Sequence, residues 1–130
     1  MSEIADFLRA RIAERRALAE SASPGPWHVN EEGDEVVAVD GITVADGFAL
    51  SGRQLRATTE HIAVNDPADV IADCDAKLAL VDHMVRMLAA AEGDTEVDHY
   101  GALDAAEQTL RLLAQPFAGH PDHKGEEWTP

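Results

Sequence analysis

Aromatic side chains are scarce in this chain, 5% of 130 residues, and only two of them are tryptophans. Alanine and aliphatic residues must therefore fill most of the core, and helices are expected to approach closely over small side chains. The single cysteine, Cys74, excludes an internal disulfide. Its place in an apolar helical row predicts a small buried hydrophobe rather than a reactive thiol. Basic residues are few as well: ten Lys and Arg stand against twenty-five Asp and Glu, a formal net charge of -15. That balance repels phosphate backbones and anionic lipid, which argues against direct binding of nucleic acid. No apolar run of about 18 residues occurs. The opening Met1-Ser2-Glu3-Ile4-Ala5-Asp6 lacks the charged-then-apolar pattern of a leader, so neither a membrane span nor a signal peptide is expected, and a cytoplasmic protein is.

Catalytic signatures are also missing. There is no Gly-rich loop followed by Lys-Ser or Lys-Thr, no His-Glu-x-x-His helix and no cysteine pair, and Ser51-Gly52-Arg53 lacks the glycines of a nucleophile elbow. The expectation is a protein without enzymatic activity or cofactor. Histidine and carboxylate are plentiful enough to keep a metal- or small-ligand-binding protein as the alternative, through His61, His83, His99, His120 and His123. The densest cluster, His120-Pro121-Asp122-His123, is a tight loop rather than a ligand spacing on a helix.

What is present reads as one α+β domain over 1–130: a short antiparallel β-meander packed against three to four helices, including a long helical hairpin. A first helix is expected over 2–21, capped by Ser2, with Ile4, Phe7, Leu8, Ile12 and Ala19 on one face. Arg9, Arg11, Arg15 and Arg16 lie along it and predict contact with an acidic surface, its own or a partner's. Ser23-Pro24-Gly25-Pro26 then forbids helix and feeds Trp27 inward, between the meander and the long helix. The meander is expected over 26–48. Val36–Val39 and Ile42–Ala45 are joined by Asp40-Gly41, the signal of a two-residue type I′ hairpin. Phe48 and Leu50 are expected to fold back over the sheet.

Helices are expected again over 53–64, 66–91 and 98–115, followed by a tail, 116–130, that packs through Phe117 and Trp128. Asp66 as N-cap, Pro67 at the first helical position and Asp69 in the first turn make a strong start signal for the longest helix. Asp73/Lys77 and Asp82/Arg86, each four apart, predict ion pairs along that helix. Leu80, Met84 and Met87 widen its apolar face, which predicts either contacts on two sides within the fold or a surface for another chain, a homodimer among the options.

The pattern Ser23-Pro24-Gly25-Pro26-Trp27, a short β segment, then Glu60-His61-Ile62-Ala63 leading into Asn65-Asp66-Pro67-Ala68-Asp69-Val70-Ile71 resembles the module of Ead-type phage early proteins. Over most of its length the chain is also similar to a family of uncharacterised actinobacterial and actinophage proteins. That second likeness includes the stretch Val44 to Leu55, the Ala76-Lys77 step, and Leu112-Leu113-Ala114 through His120-Pro121-Asp122 to Glu127-Trp128. Neither likeness carries an active site. Together they imply a small accessory protein of mobile-element or actinobacterial kind. An acidic proteome by itself gives many proteins such a charge. If the charge is used, Glu31, Glu32, Asp34 and Glu35 lie in a turn the fold exposes, and their partner would be a basic protein.

Overall fold

A computed structural model describes residues 2–92 and 101–130. In chain order it contains α1 (Glu3–Ser21), β1 (His28–Val29), β2 (Glu35–Val37), β3 (Thr43–Asp46), α2 (Gly52–Val64), α3 (Pro67–Glu92) and α4 (Ala102–Ala114). Two 3-10 turns follow, Gln115–Phe117 and Gly125–Trp128. The fold is α+β, with a three-stranded antiparallel meander packed on a helix. The chain divides into two compact units, Arg15–Cys74 and Met1–Glu14 with Asp75–Pro130. The expected start of the last helix at 98 lies outside the described residues.

In the unit Arg15–Cys74 the strands run in the order β1-β2-β3. His28 pairs with Val37 and Val29 with Val36, while across β2 and β3 Glu35 pairs with Asp46. Val36 opposes Ala45 but Val37 opposes Thr43, so Val44 is an extra residue, a β-bulge. Helix α2 covers the meander. Its Thr59 is fully buried, and the hydroxyl donates to the Gly33 carbonyl at 2.8 Å, pinning the β1–β2 turn to the helix. Ser51 caps α2 by accepting from the Gln54 N–H at 3.2 Å.

The hairpin differs from the type I′ expectation. Gly41 has φ +83 but Asp40 does not have a positive φ, and type I′ requires both. The Gly41 N–H instead donates to the Ala38 carbonyl at 3.0 Å, and the Ala38 N–H to the Ile42 carbonyl at 2.9 Å. The loop is therefore three residues, Val39 to Gly41, a type I-like turn closed by a left-handed glycine. Asp40 keeps ordinary backbone geometry because its Oδ1 accepts the Ile42 N–H at 3.1 Å.

Phe48 and Leu50 do not fold back. They are 90% and 103% exposed, because α2 already occupies the place they were expected to take. Gly47 before them is held tightly: its N–H donates to the Asp34 carbonyl at 2.7 Å, and a Cβ there would lie 2.8 Å from Leu55 and Thr59. The chain leaves the sheet at this point, and α2 begins after its cap at Ser51.

In the second unit the fully buried large residues are Leu8 and Ile12 of α1, Val81 of α3 and Leu110 of α4. Ala5, Ala106 and Ala114 are equally inaccessible, the close packing over small residues that a chain poor in aromatics predicts. Burying one such leucine contributes about 1.5–3 kcal/mol. Ser2 caps α1, accepting from the Ala5 N–H at 3.3 Å. Asp82 does not pair with Arg86 on its own helix: Arg9 of α1 donates to its Oδ1 through Nη2 at 2.8 Å and Nε at 3.2 Å. Among the described residues no helix is long and apolar enough to cross a membrane.

Candidate functional site: a motif junction and an acidic, apolar-tipped surface

The two halves of the Pro-Gly-Pro-Trp and Asn-Asp-Pro pattern meet at one carboxylate. Asp66, 6% exposed, accepts the Asp69 N–H on Oδ1 at 3.0 Å, which caps α3, and the Trp27 N–H on Oδ2 at 3.2 Å. Pro67 is the first residue of α3, where its missing N–H leaves no bond unmade. Gly25 lies against the same carboxylate; a Cβ there would sit 3.2 Å from the Asp66 Cγ. Asn65 closes α2: its N–H donates to the Ile62 carbonyl and its side-chain amide to the His61 carbonyl at 2.7 Å. Pro24 also belongs to this junction, its carbonyl accepting the Val39 N–H at 3.2 Å. Pro26 is exposed and follows a cis peptide bond. The buried Asp66 carboxylate uses both oxygens in holding the chain, which makes the arrangement a structural clasp. His61 contributes through its backbone, and its side chain is exposed.

Trp27 differs from its expectation. It is half-buried rather than a core anchor, and its indole Nε1 donates back to the Ser23 carbonyl at 2.9 Å. The ring is held by its own turn, and the interior of this unit is filled by smaller side chains, Val36, Ala38, Thr59 and Ala63 among them. The tail's tryptophan has the larger packing role. Trp128 is 8% exposed, with its ring 5.0 Å from Phe7 and 5.1 Å from His123. Phe117 meets Phe7 edge-on at 6.2 Å.

Of the histidines considered for a metal, His120 and His123 are engaged in local contacts. His123 Nδ1 accepts the Gly125 N–H at 2.9 Å, so Nε2 carries the proton and points into the ring cluster. His120 Nδ1 accepts the Asp122 N–H at 3.0 Å, and Arg11 Nη1 lies 3.1 and 2.8 Å from its two ring nitrogens. The lone pairs of those nitrogens diverge, so one N–H donor cannot satisfy both, and the guanidinium lies against the ring. Arg11 also donates to Glu14 at 2.7 Å and approaches Asp122 at 3.7 Å. Three of the four arginines of α1 thus find acidic partners on their own chain: Arg9 on Asp82, Arg11 on Glu14, Arg16 on Glu20. His83 is exposed on α3, and His99 lies outside the described residues. Among the described residues no group of three or more His, Cys, Asp or Glu is arranged to hold a metal ion.

The α3 face expected to meet another chain is largely internal. Met84 is 8% exposed and Met87 half-buried, leaving only Leu80, at 37%, on the surface. The wide apolar stripe serves this chain's own packing, which periodicity alone does not distinguish from an interface.

The acidic turn, in contrast, is exposed and rigid. Asn30 Oδ1 accepts the N–H groups of Asp34 and Glu35, each at 3.1 Å, and its Nδ2 donates to the Asp34 carboxylate at 2.8 Å. Gly33, at φ +78, makes the reversal, and the Arg56 guanidinium packs over it and donates to the Glu31 carbonyl at 3.1 Å. Glu31 and Glu32 project into solvent, while Asp34 and Glu35 are half-buried. Glu35 faces Asp46 across the sheet. Its carboxyl is raised above the usual 4.5, by loss of solvent first, then by a hydrogen bond with Asp46 and repulsion from Asp46, Asp34 and Glu32. This cluster adjoins the root of the exposed loop, because Gly47 is bonded to Asp34 and Phe48 follows it. The result is a fixed negative patch beside two solvated apolar side chains. Val39 and Ile42 at the hairpin tip are also solvated, at 57% and 62%. A sequence reading keyed to hydrophobicity places Phe48 inside. What turns it outward is tertiary: Gly47 is tied to Asp34 and packed against Leu55 and Thr59.

An α+β protein with a structural clasp and a preformed acidic surface is the class these features define. The chain belongs to the family of unknown function DUF6221, whose model matches residues 1–130. No curated protein and no solved structure matches it.

Proposed function

We propose that the protein is a non-enzymatic, cytoplasmic interaction module, an accessory protein of the phage or actinobacterial kind, whose partner is a basic protein. The observation that carries this reading is the exposed Phe48-Ala49-Leu50 loop rooted beside Glu31, Glu32, Asp34, Glu35 and Asp46. Two large apolar residues at full exposure gain most by being covered, and interface anchors of this type supply most of the binding energy. The surrounding carboxylates select a partner of opposite sign and speed its encounter. The same surface disfavours nucleic acid and anionic membrane. The burial of Met84 takes that side chain out of the surface offered at Leu80, Met84 and Met87, so the Phe48 loop is the better supported interface.

The experiment is partner capture from the native host at low and high salt, with wild type, Phe48→Ser/Leu50→Ser, and Glu31→Gln/Glu32→Gln. A basic partner lost in the apolar double variant and weakened by salt and by the charge variant supports the reading. Retention of the same partner by the apolar double variant overturns it.

A further inference from the structure

A cleft of about 630 Å3 opens in the unit formed by Met1–Glu14 and Asp75–Pro130. It is independent of the Phe48 surface, which lies wholly within Arg15–Cys74. Its apolar wall is formed by Ile4 from α1, Val85 and Leu88 from α3, Leu103 and Leu110 from α4, and Trp128 from the tail. The volume falls within the roughly 300–1,000 Å3 typical of small-molecule sites. Among the described residues three carboxylates, Glu92, Glu107 and Glu127, line it with a single guanidinium, Arg111. Glu107 and Arg111 stand one turn apart on α4, yet among the described residues none of these four charges makes an ion pair.

We infer that this cleft binds a small amphiphilic cation, a molecule with an apolar body and one positively charged nitrogen. The apolar walls take the body, since removing hydrocarbon from water is favourable in proportion to the area covered. The excess of carboxylate decides the sign of the head group. An acid-headed amphiphile of the same length meets three carboxylates at the site and a chain of net charge -15 around it. An ammonium group gains from both. Arg111 gives the cleft no net preference for anions, being outnumbered three to one by the carboxylates that share the lining.

The test uses the full chain with Trp27→Phe, which leaves Trp128 in the cleft wall as the only tryptophan. Dodecyltrimethylammonium, dodecanol and dodecyl sulfate are titrated below their micellar concentrations, following Trp128 fluorescence and, by calorimetry, stoichiometry. The cation is expected to bind at one saturable site, at least tenfold more tightly than the sulfate. Ala89→Phe adds bulk at an exposed residue of the lining without changing net charge, and is expected to weaken binding at least tenfold with the fold intact by circular dichroism. Glu107→Gln/Glu127→Gln is expected to reduce cation affinity severalfold while leaving dodecanol unaffected, a readout that does not depend on how Ala89→Phe folds. Equal affinity for sulfate and cation overturns the inference. So does non-saturable binding of the cation that both variants leave unchanged, the behaviour of charge adsorption to the surface.

Discussion

Replacing Asp66 with Ala removes two hydrogen bonds that join distant parts of the sequence. Loss of the N-cap bond to Asp69 costs about 0.5–2 kcal/mol. Loss of the acceptor for the half-buried Trp27 N–H adds about 1–3 kcal/mol, since that donor is left without a partner. Together the change should cost about 2–4 kcal/mol, a large share of the roughly 5–15 kcal/mol by which a domain is stable. In a chain of this length that is a fall in melting temperature of roughly 10 °C. Asp66→Asn separates the two bonds: its amide oxygen can still cap α3, but its NH2 then faces the Trp27 N–H, so it should cost about half as much. Glu60→Gln, removing one charge from an exposed position of α2, controls for relief of the chain's negative self-repulsion and should leave the midpoint nearly unchanged. The assay is thermal unfolding followed by circular dichroism, with urea titration to convert midpoints into free energies. An Asp66→Ala midpoint equal to that of Glu60→Gln would refute the clasp.

Gly41→Val should destabilise the fold by roughly 1–2 kcal/mol, because it places a β-branched residue at a left-handed position; an unchanged urea midpoint would show the turn relaxes freely. Glu35→Gln should stabilise the protein near neutral pH. A carboxyl whose folded pKa is raised contributes stability while protonated and loses it as pH rises through that value, so the variant's advantage should vanish as the pH is lowered and wild-type Glu35 is itself protonated; an advantage independent of pH contradicts the repulsion. Trp128→Ala should cost about 3–5 kcal/mol, and Trp27→Ala distinctly less, since only the former ring is buried; denaturant melts giving the reverse order would overturn the assignment of burial.

The parts of the fold that were legible in the sequence are those whose physics is local. Asp66-Pro67 announces the start of α3 because capping and the missing proline donor act within one turn, and Ser2 announces α1 in the same way. That Asp66 also holds Trp27 was not legible. The bond spans 39 residues, and no local preference encodes it. The Asp40-Gly41 signal gave a hairpin but not its turn type, which depends on whether the aspartate or only the glycine takes a positive φ. Phe48 and Leu50 were misread for a tertiary reason: hydrophobicity places them inward, but α2 had taken the sheet. The face around Met84 was open to two readings, internal packing or an interface, and the burial of Met84 assigns that side chain to the chain's own packing. Of the candidate surface, the acidic turn was visible from composition, while its apolar neighbour became visible only when Gly47 was found tied to Asp34.

Site-specific photo-crosslinking in the native host tests the proposed surface most directly. A photoreactive phenylalanine analogue is placed at position 48 in one strain and at position 80 in another, both exposed positions. The account predicts a discrete adduct with a basic protein from position 48, diminished when Glu31→Gln/Glu32→Gln is added, and none from position 80. Adducts from position 80 but not from position 48 would contradict it.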